Sequence, residues 1–144
     1  MRIASFVVTI LLFLQLTSCS RAKNKYVFIT RYDDNTGYNG NSSINAMVSK
    51  DSLYIFFEHG FDKDTLEIQV EEDLRKLNLS TSAFGLADVQ LFGKIENISE
   101  FSISMNGSKR HKVEIRDPSM NKWAVKVKHD TIFITVLNNA LYYE

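Results

Sequence analysis

The chain has 144 residues, with 17 Lys and Arg against 17 Asp and Glu, one proline and one cysteine. That balance leaves no bulk electrostatic case for nucleic-acid binding, and a single cysteine rules out an intrachain disulfide. With so little proline the chain reads as one regular domain held by packing and strand pairing, with no cofactor expected.

Met1-Arg2 is a short basic start, and Ile3 to Leu14 is apolar, broken only by Ala4, Ser5 and Thr9. As a helix such a run reaches about 18 Å, short of a bilayer core of about 30 Å, so it reads as a secretory signal. It ends in Leu16-Thr17-Ser18-Cys19, an aliphatic residue, two small ones and the only cysteine. This segment resembles the lipobox of bacterial lipoproteins. The resemblance implies that residues 1–18 are removed and that Cys19 becomes the first residue. Its thiol then carries a diacylglyceryl group and its new amine a fatty acid such as palmitate. At about 0.8 kcal/mol per buried methylene, these chains anchor the protein unaided. Residues 19–25 then form a lipidated tether, and residues 26–144 a single β domain. Ser20 resembles the sorting position of lipoproteins sent to the outer membrane, and the basic Arg21, Lys23 and Lys25 favour its periplasmic face. Loss of Arg2 from the 17 cations leaves 16 against 17 acids in the mature chain.

Within the domain, Tyr26 to Tyr32 alternates Tyr26, Phe28 and Tyr32 with Val27 and Ile29. This predicts a strand covered on both faces, or one that closes a barrel. Asp33 to Ser42 is a turn-rich loop. Its acids invite a calcium reading, but Tyr38 and Ile44 stand where an EF-hand needs glycine and glutamate. Ile44–Ser49 and Leu53–Glu58 are expected as strands, the second central because Leu53-Tyr54-Ile55-Phe56-Phe57 is so apolar. Leu66 to Val70 alternates cleanly. Glu71–Leu79 reads as a helical turn, because Glu71/Arg75 and Glu72/Lys76 lie four apart. Val89–Ile95 is a strand with Gly93 at a bulge. Phe101, Ile103 and Met105 alternate with serines up to Asn106-Gly107, a hairpin turn that needs positive φ twice, and the chain returns through Val113 and Ile115. Trp123, Val125 and Val127 alternate with Lys122, Lys126 and Lys128. His129-Asp130 turns into Ile132–Val136, and Leu141-Tyr142-Tyr143 is a last short strand. The fold class is therefore all-β: one antiparallel β-sandwich or small barrel of about 8–10 short strands, with at most one short helix.

Asp51-Ser52-Leu53, Asp64-Thr65-Leu66 and Asp130-Thr131-Ile132 share one pattern. Its plainest reading is a hairpin exit, with aspartate in the left-handed turn position and the hydroxyl residue opening a strand. The pattern also resembles the O-glycosylation site some bacteria use on exported proteins, which makes Ser52, Thr65 and Thr131 candidate glycan acceptors.

No nucleophile elbow, phosphate-binding glycine loop or Ser-x-x-Lys is present, and an acylated Cys19 leaves no cysteine nucleophile. No catalytic residue is assigned. The most enzyme-like group is Glu58, His59 and Asp62, which would need a polar cleft around them. His59, His111 and His129 lack metal-ligand spacing, so no metal is expected. The sequence is therefore read as a membrane-anchored lipoprotein acting as a non-catalytic envelope binding or assembly module. Its partners are membrane lipid through Cys19 and an envelope protein, and not nucleic acid. The alternatives are an immunity-type lipoprotein that neutralises a toxin and, further off, an apolar-ligand carrier or a hydrolase.

Overall fold

In the computed structural model the described residues are 26–33, 48–82 and 85–138. They form nine strands: β1 (Val27–Arg31), β2 (Ser52–Phe57), β3 (Asp64–Val70), β4 (Asp73–Leu79), β5 (Asp88–Lys94), β6 (Glu100–Met105), β7 (His111–Glu114), β8 (Lys122–Lys128) and β9 (Thr131–Val136). A single 3-10 turn spans Ile95–Asn97. The first sheet has the order β1-β9-β8-β2-β5 and the second β4-β3-β6-β7. The expected all-β sandwich is what the chain forms.

Alternation explains which sides face. Leu53, Ile55 and Phe57 of β2, with Trp123 and Val125 of β8, meet Leu66 and Ile68 of β3 and Phe101 and Ile103 of β6 in one continuous core. Trp123 lies at its centre. Its ring stands edge-on to Phe101 at 5.4 Å and to Tyr32 at 5.8 Å, and its Nε1 donates to the Met120 carbonyl at 2.7 Å. The indole thus buries a large apolar body without orphaning its one donor.

The two open edges of the sandwich are stapled. On one side, the Thr30 hydroxyl of β1 shares a 2.9 Å hydrogen bond with His111 of β7, whose ring stacks on Phe28 at 5.0 Å. On the other, Arg75 of β4 lies 4.1 Å over the Phe92 ring of β5 and donates to Gln90 at 2.8 Å.

Four sequence expectations change. Glu71–Leu79 is not helical: Glu71-Glu72 is a turn with Glu71 at φ 51, and Asp73–Leu79 pairs antiparallel with β3. Arg75 faces inward and lays its guanidinium over Phe92, so the true alternation is Arg75, Leu77, Leu79, and a charged residue hid the period of two. Strand β1 is not covered on both faces: Val27 is 52% and Ile29 38% exposed, on an edge strand paired only with β9 among the described residues. Pairing is mostly antiparallel, but β1 joins β9 and β2 joins β8 in parallel. In the tripeptides, Lys63 and His129 take the left-handed conformation, both at φ 55; the following aspartates do not.

Other expectations hold. Asn106 and Gly107 both have positive φ, at 51 and 73. The β2–β5 ladder steps from Tyr54↔Leu91 to Ser52↔Lys94, so Phe92 and Gly93 together face Leu53 as a bulge. The strand expected at Ile44–Ser49 falls mostly outside the described residues, and the one at Leu141–Tyr143 wholly so. Cys19 and its neighbours also lie outside them.

Candidate functional site

The strands divide charge unevenly. Those of the first sheet carry five cations, Arg31, Lys94, Lys122, Lys126 and Lys128, and one carboxylate, Asp88. Those of the second carry three cations, Arg75, Lys76 and Lys112, and five carboxylates, Asp64, Glu67, Asp73, Glu100 and Glu114.

The outer face of the second sheet has a trough built by residue size. In register across it stand Gln69 of β3, Ser102 of β6 and Lys112 of β7, with Glu67 beside Ser104 in the next row. Short serines on the central strand lie between long polar side chains on both neighbours. Ser102 and Ser104 are therefore shaded, at 9% and 5% exposure, although they point away from the core. The Gln69 amide donates to the Glu71 carbonyl at 3.0 Å. Arg110 donates to Gln69 and lies 3.4 Å from Glu67, while Lys112 meets Glu100 at 2.7 Å. The resulting concavity encloses about 420 Å³ and ends at Glu71.

A second concavity of about 600 Å³ opens on the other side of Glu71. Its walls are the β3–β4 turn and the bulge and 3-10 turn after β5, including Asp73, Phe92, Gly93 and Asn97. Arg75 holds the Asp73 carboxyl below the usual carboxylate range, mainly by a hydrogen bond, so this rim stays anionic. The two hollows meet at Glu71, which lines both, and their walls are polar and of mixed charge.

The residues singled out from sequence do not converge there. Glu58, His59 and Asp62 lie at the opposite end, where the β2–β3 connection runs alongside β8; His59 and Asp62 are exposed. The segment is held by Glu58 N–H to Val125 O at 2.9 Å and Val127 N–H to His59 O at 3.1 Å. Neither hollow is lined by any of the three. His129 belongs to the β8–β9 turn, whereas His111 points inward to Phe28 and Thr30, and burial lowers its pKa. Among the described residues no group of three His, Cys, Asp or Glu is placed to hold a metal ion.

The three hydroxyl candidates split between the ends. Thr65 and Thr131 open strands at the His59 end, and Ser52 opens β2 at the other, beside Asn121. All three are partly exposed, and Thr65 already donates its hydroxyl to Asn78 at 3.2 Å. The trough residues Gln69, Arg110 and Lys112 had no motif to announce them. Their one sequence signal was the pair of serines alternating with Phe101, Ile103 and Met105.

No protein-family model, curated protein or solved structure matches the chain.

Proposed function

We propose that this chain is a membrane-anchored lipoprotein of the bacterial envelope, a non-catalytic binding module that docks a protein partner on the outer face of its second sheet. The Leu16-Thr17-Ser18-Cys19 segment supports the anchor. The trough supports the docking role: a serine floor and walls already ordered by Gln69, Glu67 and Glu100 present fixed hydrogen-bonding groups at small entropic cost. The space between the sheets is filled by Trp123, Phe101, Phe57 and the aliphatic residues around them, so binding falls to the surface and not to an internal pocket.

Two measurements test the reading. The intact mass of the mature protein from its host should equal the chain from Cys19 plus a diacylglyceryl group and a fatty acid; a mass with no lipid removes the anchor. Purification in mild detergent should retain a stoichiometric protein that Arg110→Glu releases and Lys126→Glu keeps. A partner indifferent to Arg110→Glu would remove the trough from the function.

A further inference from the structure

The first sheet carries a different kind of surface. On its outer face, Ile29 of β1, Phe133 of β9 and Lys126 of β8 stand in one cross-strand row. Val27 lies in the next row with Lys128 two strands away, and the Arg31 guanidinium is 4.9 Å from the centre of the Phe133 ring. Three apolar side chains, with Val27 and Ile29 well exposed, are thus ringed by three cations. The strands that build this corner, β1, β8 and β9, contain no carboxylate; among the described residues the acids that border it are Asp33 and Asp130 beyond the strand ends and Glu58, whose N–H bonds Val125 O beside Lys126. Elsewhere on this face, Phe56, Ala124 and Leu137 are buried, with Val48 and Leu86 packed against them. Val89 and Leu91 of β5 are also exposed on this face, at the far edge of the sheet; the β1–β9–β8 corner is where exposed apolar residues and cations stand together.

We propose that this corner is a membrane-contact surface that seats the domain on anionic phospholipid headgroups, with Val27, Ile29 and Phe133 entering the interface and Arg31, Lys126 and Lys128 meeting phosphates. An exposed apolar centre ringed by cations, on strands that carry no carboxylate of their own, complements an anionic bilayer surface, whereas a protein partner of mixed charge would call for carboxylates among the cations. The second support is where the chain leads. Tyr26, which opens β1, is seven residues from Cys19 in sequence, and seven residues reach at most about 25 Å. This part of the argument rests on the lipoprotein reading. An anchor so close holds the corner at high effective concentration beside the bilayer. The intervening Arg21, Lys23 and Lys25 continue the same sign of charge.

The test is flotation of residues 20–144, which keep all nine strands, with vesicles of phosphatidylcholine alone or mixed with phosphatidylglycerol. The chain should float with the mixed vesicles only, and less so as salt rises. Paired Lys126→Gln and Lys128→Gln should weaken binding roughly thirty-fold, about five-fold for each cation withdrawn. Ile29→Asp should weaken it further, and Leu74→Asp, on the second sheet, should leave it unchanged. All variants keep the basic tether, so differences report the corner alone. Arg31→Gln serves if a Lys126 or Lys128 variant fails to melt cooperatively. Equal flotation with both vesicle types overturns the proposal, as do corner variants that behave like Leu74→Asp. So does a co-purifying protein that the corner variants release while vesicles go unbound. Because the chain tested has no lipid, an unmodified Cys19 would show separately, in the intact mass.

Discussion

Replacing Gly60 with alanine should destabilise the domain by about 3 kcal/mol, a large share of a typical folding free energy. Gly60 has φ +99, and a Cβ built there would stand 1.8 Å from the Val127 carbonyl oxygen and 2.7 Å from its carbon. Both atoms are main chain in the middle of the first sheet, so no side-chain rotation relieves the overlap. The 58–60 segment must lift away from β8, taking with it the Val127 N–H to His59 O bond at 3.1 Å and straining the Glu58 N–H to Val125 O bond at 2.9 Å. An L-residue in the left-handed region costs about 1–2 kcal/mol and each backbone bond about 1. The stiffer unfolded chain returns about 0.5 kcal/mol. With a urea slope of about 2 kcal/mol/M, the midpoint should fall by about 1.5 M. Urea unfolding followed by Trp123 fluorescence reads this directly, since that ring is wholly buried. A fall below about 0.3 M would mean that Gly60 does not pass over Val127 as described.

Asn121 is 3% exposed, and its amide nitrogen faces the carbonyls of Ser49, Lys50 and Ser52; Asn121→Ala should cost about 2 kcal/mol in the same assay, because those acceptors lose their donor. Arg75→Ala removes both the cover on Phe92 and the bond to Gln90, and should cost about 1–2 kcal/mol, with hydrogen exchange rising in β4 and β5 ahead of the other strands. Burial lowers the His111 pKa below the ordinary histidine range, so the folded state favours the neutral ring. Its contribution is complete above the unfolded pKa and is lost as pH falls through the folded one. The urea midpoint should therefore drop between about pH 7 and pH 5, by less in His111→Gln, and an identical drop in both would remove His111 as the cause.

Local chemistry was legible wherever the period was clean. Leu66 to Val70, Phe101 to Met105 and Trp123 to Val127 show apolar residues at every second position, and each became a strand with that face inward. Asn106-Gly107 and Gly93 carried their own conformational signals, a turn and a bulge. Strand β4 escaped because an inward arginine broke the apolar period while the spacing of Glu71, Glu72, Arg75 and Lys76 imitated a helix. Strand β1 misled for the reverse reason. Apolar residues on both faces suggested full cover, and the structure leaves Val27 and Ile29 in the open. The parallel pairings of β1 with β9 and β2 with β8 join residues far apart in the chain, and no local pattern encodes them.

The site was hidden by the same gap. A chain with 17 cations and 17 acids reads as featureless in charge until the strands are assigned to sheets. Strand order then gives one sheet five cations against one acid and the other three against five. Because sheets in a sandwich pack about 10 Å apart, the two outer faces point in opposite directions and share no side-chain neighbours. A domain whose β1–β9–β8 corner meets the bilayer must turn the trough of Gln69, Ser102, Arg110 and Lys112 toward the compartment. Substitutions on the two faces should then act independently. Lys126→Gln with Lys128→Gln should weaken vesicle binding by the same factor whether or not Arg110→Glu is present, and Arg110→Glu should release the protein partner equally from either background. Agreement within about 0.5 kcal/mol of additivity is the expected result. A larger coupling would place the two surfaces on one binding event and refute their separation.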